Sequence, residues 1–244
     1  MKKTTLKITE NTPLISGVVY KMVLSGDVGI NLAGQFINIQ LPNFTLRRPF
    51  GVADCSKDSI TILYRILGNG TRYMSTIKPN TTSVDVLTGL GNGFDLTTTD
   101  RPLIIAGGMG AAPMHLVAKE FKNKGIEPET ILGFRTKTDA FYVQEFQKIG
   151  KTTVCTDDGS LGFKGNVVDY LKGSSQNNLY FACGPEPMLK GLVNFSKNGY
   201  ISTEERMACG FGACMGCTIK TKECYKRVCK EGPVIHASEV IFDE

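Results

Sequence analysis

Short apolar runs separated by turn residues fill the first hundred positions of the chain. The runs lie at 17–24, 35–41, 59–66 and 83–87. In the third run apolar and polar side chains alternate, so that one face buries Ile60 and Ile62 while the other presents Arg65 to a ligand. The pattern predicts a small antiparallel β-barrel, with this strand as a candidate wall of a binding site.

The pattern changes near residue 101 to strands that alternate with turns and helices. Continuous apolar runs lie at 102–106, 130–133, 152–156 and 178–183, and helical stretches lie at 113–124, 140–149, 165–171 and 186–198. Buried strands that are each followed by a helix are typical of a parallel sheet. We therefore predict a compact nucleotide-binding α/β domain of about 100 residues.

The last part of the chain is too short for a core of its own and contains five of the eight cysteines. A segment of this size needs a metal to fold. The predicted fold class is therefore α+β multidomain. It comprises an antiparallel β-barrel over 1–98, a parallel α/β domain over 99–202 and a small cysteine-rich domain over 203–244.

Composition and charge exclude several classes of protein. The net charge of +5 comes from scattered basic residues, which disfavours a nucleic-acid-binding protein. No apolar run reaches the ~18 residues of a membrane span, and the first residues form no apolar signal region, so we expect a cytoplasmic protein. Two histidines and no G-x-S-x-G motif give no support for hydrolytic chemistry.

The clustered cysteines indicate an iron–sulfur centre. Cys209, Cys214 and Cys217 form a C-x4-C-x2-C pattern, and Cys229 follows at a distance. This is the plant-type [2Fe–2S] spacing, and the interleaved glycines let the backbone approach inorganic sulfide closely. A structural zinc site and unligated thiols are alternatives, but zinc leaves the four-residue gap unexplained. Cys224 is an alternative fourth ligand, although the segment around Cys229 is more typical of an ordered return strand.

A basic and aromatic group of residues in the barrel region suits an anionic dinucleotide. The candidates are Arg48 and Arg65 for a pyrophosphate, Phe50 and Tyr64 as flat walls, and Gly70 and Thr71 as donors. Alone this group is a weak signal, because paired arginines are usually solvated and Phe50 could belong to the core.

Three strand-to-helix turns are candidates for a second nucleotide site. The segment Gly107-Gly108-Met109-Gly110-Ala111-Ala112-Pro113 offers bare N–H groups and a helix N-terminus to a pyrophosphate, although a packing turn would look the same. In the second turn, Cys183 precedes Gly184 and Pro185, and it could be no more than a small buried residue. The third turn begins at Asp157 and by itself indicates ordinary loop chemistry.

The order of these motifs resembles the ferredoxin-NADP reductase superfamily. The motifs are Arg48-Pro49-Phe50-Gly51, the glycine turn at 107–113, and Cys183-Gly184-Pro185-Glu186-Pro187-Met188. With the C-terminal cysteine pattern added, the whole chain resembles the electron-transfer subunits of class 1B, NAD-linked dihydroorotate dehydrogenases. The strings at 64–71, 156–160 and 228–234 support this resemblance.

The resemblance implies FAD on the barrel, NAD(P) on the α/β domain and a [2Fe–2S] cluster on the last segment. It implies a separate FMN-containing catalytic subunit in a heterotetramer with two of each chain, acting in pyrimidine biosynthesis. Electrons would run from FMN through the cluster and FAD to NAD⁺. The nearest alternative is a similar reductase subunit of an NAD(P)H:ferredoxin or sulfide dehydrogenase. A non-enzymatic zinc-binding docking module is the alternative from another class.

The implied site residues form three groups, none of them an acid–base catalyst. The FAD group is Arg48, Pro49, Phe50, Gly51, Tyr64, Arg65, Ile66, Gly70 and Thr71. The nicotinamide nucleotide group is Gly107, Gly108, Gly110, Ala111, Pro113, Asp157, Cys183, Gly184, Pro185 and Met188, with Cys183 near the nicotinamide. The cluster group is Cys209, Cys214, Cys217 and Cys229.

Two departures from the family pattern and one open choice remain. Gly51 stands where the family commonly has serine, which removes a side-chain hydrogen bond near the flavin. Thr88-Gly89 replaces Gly-Pro at the barrel exit and should loosen that turn. Arg135 could meet the 2′-phosphate of NADP or be solvated, so the sequence leaves NAD and NADP both open.

Overall fold

The computed structural model describes residues 1–29, 31–174 and 178–242. Its first part is a closed antiparallel barrel with the strand order β1-β2-β5-β4-β3-β6, as predicted. The strands are β1 (Lys2–Ile15), β2 (Val19–Ser25), β3 (Phe36–Gln40), β4 (Arg48–Cys55), β5 (Ser59–Arg65) and β6 (Ser83–Leu90), and helix α1 (Asn69–Thr76) follows β5.

The alternation of side chains in the barrel strands decides which face is buried. In β3, Ile37 and Ile39 enter the main core, whereas Phe36 packs in a separate apolar cluster with the C-terminal segment. In β5, Ile60 and Ile62 are buried as the sequence predicts. Leu63, on the predicted ligand-facing side, is buried as well. Because alternate side chains of β5 point to opposite faces, one face of the strand enters the barrel core and the other faces the predicted ligand side.

Two elements of the barrel region escape the sequence pattern. Strand β1 is the longest, yet its polar composition leaves only Leu6 and Ile8 fully buried. Helix α1 begins in a glycine-rich stretch and buries only Gly70 and Met74. The Arg-Pro-Phe-Gly motif at 48–51 forms the start of β4. Pairing with neighbouring strands, rather than local hydrophobicity, forms β1.

The second part is a sheet with the order β10-β9-β8-β7-β11-β12-β15. Its elements are β7 (Leu103–Gly107), α2 (Ala111–Asn123), β8 (Glu129–Phe134), α3 (Val143–Gln147), β9 (Thr152–Thr156), β10 (Phe163–Lys164), α4 (Val167–Lys172), β11 (Tyr180–Cys183), α5 (Glu186–Phe195), β12 (Gly199–Ser202) and β15 (Val234–His236). All neighbouring pairs are parallel except β12 and β15. The predicted parallel α/β domain is confirmed.

The strand order of this sheet reverses between β7 and β11. From β7 the chain moves outward through β8 to β9, and it then returns to the other side of β7 as β11 and β12. The carboxyl ends of β7 and β11 therefore form a crevice at a topological switch point, where α/β proteins bind ligands. Both glycine-containing turns of the sequence, at 107–110 and 183–185, lie there.

The C-terminal segment packs against both the barrel and the sheet. Strands β13 (Thr218–Lys220) and β14 (Tyr225–Arg227) form a hairpin, and β15 pairs with β12 of the sheet. Cys217, Val228 and Cys229 are buried in one cluster with Phe36 and with β6 residues of the barrel. The segment is too short for a core of its own, as predicted, and it buries its apolar residues against the barrel and the sheet. The predicted bounds of the three domains stay a prediction, and residues 243–244 lie outside the described residues.

Helix α2 holds the barrel against the sheet. Its His115 ring lies with Nδ1 2.9 Å from the Ala53 carbonyl oxygen of β4, and Lys119 pairs with Asp54 at 2.6 Å. A Cβ at Gly51 would lie 3.3 Å from the Pro113 ring. These contacts bring the flavin motif of β4 beside the start of α2. None of the helices in the described part of the chain has the length and apolar character needed to cross a membrane.

Candidate functional site

A cleft of about 380 Å³ lies between the barrel, the start of α2 and the segment that follows β12. We call it the barrel cleft. It is lined by Gly34, Phe36, Arg48, Pro49, Phe50, Gly51, Leu63, Tyr64, Arg65, Leu67, Thr71, Met109, Ala112, Pro113, Cys183, Ser202, Thr203, Glu204, Glu205, Met207 and Pro233. Its wall is mostly apolar and aromatic, with a few charged groups, as in sites for flat organic ligands.

The structure brings most of the predicted FAD residues to this cleft, with two exceptions. Ile66 is not among the lining residues, and its amide donates to the Val18 carbonyl oxygen at 2.9 Å. Gly70 lies beneath the Arg48 side chain, whose Nε would be 2.6 Å from a Cβ at this position. Gly70 therefore gives Arg48 room rather than lining the cleft.

The two predicted arginines differ in what they contact. The Arg48 guanidinium lies 4.7 Å from the centre of the Phe44 ring and donates to the Leu46 carbonyl oxygen. The Arg65 Nε atom is buried and has no hydrogen-bond partner within the described structure. A buried, unpaired donor at a cleft is costly unless a ligand accepts a hydrogen bond from it. Arg65 thus fits an anionic group such as a pyrophosphate.

Two hydroxyl groups of the predicted site are already in use. The Tyr64 hydroxyl donates to Asn11 Oδ1 at 2.8 Å, and burial raises the pKa of this phenol. The Thr71 hydroxyl accepts from the Leu67 and Gly68 amides and donates to the Gly68 carbonyl oxygen. Tyr64 therefore offers a ring face, and Thr71 stabilises the start of α1 beside the cleft.

The family departures at Gly51 and Thr88 have visible structural settings. Gly51 lines the barrel cleft, and the nearby Pro113 ring leaves little space for a larger residue. Gly89 has a positive φ of 63°, and its amide donates to Asn31 Oδ1 at 3.0 Å. This hydrogen bond holds the turn at Thr88-Gly89, and neither residue is among those that line the barrel cleft.

A second cleft, of about 600 Å³, opens at the carboxyl edge of the sheet, and we call it the sheet cleft. It is lined by Arg65, Gly107, Gly108, Met109, Gly110, Gly133, Phe134, Arg135, Asp139, Asp157, Asn166, Val167, Gly184, Pro185, Pro187, Met188 and Glu204. Arg65, Met109 and Glu204 line both clefts, so the two spaces meet at these residues. Of the predicted nucleotide residues, the buried Ala111 lines neither cleft, while Pro113 and Cys183 line the barrel cleft instead.

The glycines of the two turns have different roles. A Cβ on Gly110 would lie 2.1 Å from the Cys183 carbonyl oxygen, and one on Gly184 would lie 2.5 Å from Met188 Cε. A Cβ on Gly107 would likewise lie 2.6 Å from Met188 Sδ. These three let the two turns pack together. Gly108 has φ +50° with open space around its missing side chain, so it leaves the backbone accessible to a ligand.

Cys183 is a buried thiol at the end of β11. Burial raises its pKa strongly, and the Glu204 carboxylate adds to the shift, while a hydrogen bond with Ser202 opposes it. The sulfur is therefore a neutral thiol at physiological pH and no activated nucleophile. Its position in the wall of the barrel cleft agrees with a small, polarizable packing group beside a flat ligand.

The four cysteines of the predicted cluster form two pairs. Cys214 acts on the pKa of Cys209, and Cys217 acts on that of Cys229, whose amide donates to the Cys217 sulfur at 3.4 Å. Among the described residues, no three cysteine, histidine or acidic side chains surround a single metal-ion position. Two cysteine pairs fit a two-iron core, in which each iron takes two thiolates. Cys224 is exposed on the β13–β14 hairpin beside Thr221.

Backbone N–H groups prepare the loop for anionic sulfur. Burial alone would raise the pKa of Cys209, but hydrogen bonds from the amides of Phe211, Cys214 and Ala213 and from the Cys214 thiol lower it to about 6. The Ala213 amide lies 3.3 Å from the Cys209 sulfur. Such donors stabilise thiolates, which are the form that ligates iron.

Sequence reasoning missed the residues that follow β12. Glu204 lines both clefts, and Met207 lines the barrel cleft. Their signal was their place directly after a parallel strand, since ligands bind beyond the carboxyl ends of such strands. The predicted α/β domain ended at residue 202, so Glu204 and Met207 were not considered as part of its ligand site.

Comparisons with known proteins agree with this arrangement. The iron–sulfur cluster binding domain of dihydroorotate dehydrogenase B matches residues 204–241. The electron transfer subunit of dihydroorotate dehydrogenase B (NAD(+)) from Fusobacterium nucleatum is 43% identical over 98% of this chain and 99% of its own. The corresponding subunit from Geobacillus sp. (strain WCH70) is 38% identical over 99% of this chain and 100% of its own.

Solved structures show the same fold. A chain of the NADH-dependent reduced ferredoxin-NADP oxidoreductase, studied for flavin-based electron bifurcation, has a TM-score of 0.88 and is 27% identical, covering 97% of this chain and 89% of that one. The FAD/NAD binding domain of nitric oxide dioxygenase from Vibrio cholerae, at 16% identity and a TM-score of 0.67, shares the fold over 78% of this chain and 90% of its own.

These matches confirm the predicted reductase-like fold, the iron–sulfur domain and the role as an oxidoreductase subunit. They favour this role over that of a non-enzymatic zinc-binding docking module. The predicted assignment to dihydroorotate dehydrogenase is supported over the ferredoxin and sulfide alternatives by full-length identity near 40%. The chain belongs to the family of dihydroorotate dehydrogenase B electron transfer subunits.

Proposed function

We propose that this subunit holds FAD in the barrel cleft, NAD in the sheet cleft and a [2Fe–2S] cluster on Cys209, Cys214, Cys217 and Cys229. It would carry electrons from the FMN of a catalytic subunit through the cluster and FAD to NAD⁺. FAD, when bound, exchanges a hydride with nicotinamide and single electrons with the cluster. The residues of the chain bind and orient the groups between which these electrons pass.

The meeting of the two clefts at Arg65, Met109 and Glu204 is the observation that carries this proposal. Hydride transfer requires the reacting atoms to lie about 3–3.5 Å apart. A flavin in one cleft and a nicotinamide in the other could reach such contact only where the clefts join. Cys183 lies at the same place, at the carboxyl end of β11.

The flavin would be held mainly by Arg65 and by aromatic faces. The unpaired Arg65 Nε is placed to donate to the pyrophosphate, and Arg48 adds positive charge beside the start of α1. Phe50 and Tyr64, whose ring centres are 6.0 Å apart in an edge-to-face arrangement, form an apolar wall for the isoalloxazine. Ala112 and Pro113 add apolar surface to the same cleft.

The nicotinamide nucleotide would lie across the switch point of the sheet. Its pyrophosphate fits the open backbone at Gly108 and the start of α2. Asp139 and Asp157 line the cleft together with Arg135. Two carboxylates suit the ribose hydroxyls of NAD and oppose the 2′-phosphate of NADP. We therefore propose NAD as the acceptor.

The partner is the catalytic subunit that an electron transfer subunit serves. We propose that it contains FMN and that two copies of each chain form a heterotetramer. Co-purification followed by mass measurement and FMN quantification tests this assembly. One flavin of each kind per pair of chains is expected, and a complex without FMN would contradict the proposal.

The function is tested with the purified full chain under anaerobic conditions. We expect flavin and iron–sulfur absorption bands that bleach with NADH and an electron paramagnetic resonance (EPR) signal from the reduced [2Fe–2S] cluster. NADPH at equal concentration should act much more slowly. A colourless protein, or a flavin band that NADH leaves unchanged, would overturn the proposed function.

A further inference from the structure

We infer that Phe36 and Met207 form the contact layer through which electrons pass between the flavin and the cluster. The inference rests on the proposed positions of FAD and the [2Fe–2S] group. Both residues line the barrel cleft, and both pack in the apolar cluster that contains Cys217 and Cys229. Each therefore borders the space for the flavin and belongs to the apolar packing that buries the Cys217 and Cys229 pair.

Strand β3 explains how one side chain reaches both sites. Phe36 pairs with Gly51 and Asn38 with Pro49, so β3 lies directly beside the flavin motif of β4. Side chains two apart share a face of a strand, which puts Phe36 and Asn38 on the face opposite Ile37 and Ile39. That face meets the cysteine loop.

Asn38 fixes the cysteine loop against this face of β3. Its Nδ2 atom donates to the Cys209 carbonyl oxygen at 3.3 Å. A Cβ on Gly210, which has φ +74°, would lie 2.2 Å from the same nitrogen, so the loop approaches the strand as closely as its backbone allows. The flavin strand and the cluster loop are therefore held through a single intervening strand.

Phe36 and the thiol pair are shielded from water, while Met207 is partly buried. Phe36 is 5% exposed, and Cys217 and Cys229 are each 2% exposed. An apolar shell around a metal site controls the access of water and the local dielectric. Close packing in this cluster favours electron transfer through Phe36 and Met207, because a void or a water molecule would interrupt the path.

Electron balance sets what each transfer accomplishes. In the direction from NADH, one electron leaves the two-electron-reduced flavin in each transfer, and one Fe³⁺ of the oxidised cluster becomes Fe²⁺. Two transfers, with release of one proton from the flavin, restore oxidised FAD. The cluster must pass each electron on to the FMN of the partner before it accepts the next.

The test uses the complex of the full chain with its catalytic subunit and compares Phe36→Leu and Met207→Ala with the wild type. Flavin bleaching by NADH is followed in an anaerobic stopped-flow instrument, and cluster reduction is followed by freeze-quench EPR. We expect cluster reduction to slow by about tenfold in each variant, at the lower end of effects from residues around metal sites. The rate of flavin bleaching in the same variant is the internal reference, and cluster reduction should slow more than bleaching does.

Leu87→Val is the matched control, because Leu87 packs in the same cluster but does not line the barrel cleft. It should leave cluster reduction unchanged. Equal rates in the wild type, Phe36→Leu and Met207→Ala would overturn the inference, as would an equal slowing in Leu87→Val. If NADH fails to bleach the wild-type flavin, the proposed function itself fails, which is a distinguishable result.

Discussion

The backbone amide of Cys229 donates a hydrogen bond to the sulfur of Cys217 over 3.4 Å. The bond joins two residues that are twelve positions apart in the chain, and both are buried. It holds the segment that follows the β13–β14 hairpin against the cysteine loop. An N–H group aimed at a sulfur stabilises negative charge there, as a thiolate ligand requires.

We predict that Cys229→Ser loses the [2Fe–2S] cluster, because a ligand of the buried pair is removed. The measurement is the iron content and the EPR signal of the dithionite-reduced protein. Cys224→Ser is the matched control and should retain both, since Cys224 is exposed beside Thr221. Loss of the cluster in Cys224→Ser with retention in Cys229→Ser would reverse the ligand assignment.

Arg65→Lys should weaken FAD binding. Lysine keeps the charge but lacks the guanidinium fork and the buried Nε donor. One lost hydrogen bond to a charged partner corresponds to about 1.5 kcal/mol, or about tenfold in the dissociation constant. Fluorescence titration of the apoprotein with FAD measures it. The exposed Arg101 provides the control Arg101→Lys, and equal affinities in all three proteins would contradict the assignment.

Gly110→Ala should destabilise the fold far more than Gly108→Ala. The new methyl group at 110 would meet the Cys183 carbonyl oxygen at 2.1 Å, and backbone cannot move aside cheaply. We expect a loss of about 3 kcal/mol in the free energy of unfolding, at the upper end for overpacking. Gly108→Ala meets no atom but has a positive φ, which costs about 1 kcal/mol. Urea unfolding followed by circular dichroism compares them, and equal losses would refute the packing argument.

The stability of the domain contact should depend on pH through His115. Burial lowers the pKa of this imidazole below 6.5; the hydrogen bond with Ala53 and the carboxylates of Asp54 and Glu145 oppose the shift, and the charge of Lys119 adds to it. The unfolded chain binds a proton as the pH falls through about 6.5, whereas the folded chain resists it. The contribution of His115 is therefore complete above pH 6.5 and is lost as the pH falls toward the folded-state pKa.

We expect the free energy of unfolding of the wild type to fall between pH 7 and pH 5, by at most about 1.4 kcal/mol per pH unit from this residue. His115→Asn lacks a titrating ring and should show a shallower slope over the same range. Urea unfolding at several pH values measures both. An identical slope in the two proteins would show that His115 is not the titrating group.

Much of the fold was predictable because its signals are local. The alternation in β5 and the continuous apolar run of β7 are properties of neighbouring residues, and they identified a barrel and a parallel sheet. Strand β1 escaped prediction because its stability comes from pairing with β2 and β6, which no window of its own sequence contains.

The candidate site divides in the same way. The spacing of Cys209, Cys214 and Cys217 indicated a cluster because one short loop supplies all three thiols. That Cys229 rather than Cys224 meets Cys217 depends on how the hairpin returns, so it required the structure. Gly107 and Gly108 look alike in the sequence, and only their surroundings separate a packing glycine from an open one.

By itself, the sequence determined the order of the elements, the chemistry of the motifs and the family, since each depends on residues that are close in the chain. The tertiary structure alone decided that the two clefts meet at Arg65, Met109 and Glu204 and that Phe36 lines the barrel cleft while it packs in the cluster of Cys217 and Cys229. These residues come from distant segments, and only packing of the folded chain brings them within contact.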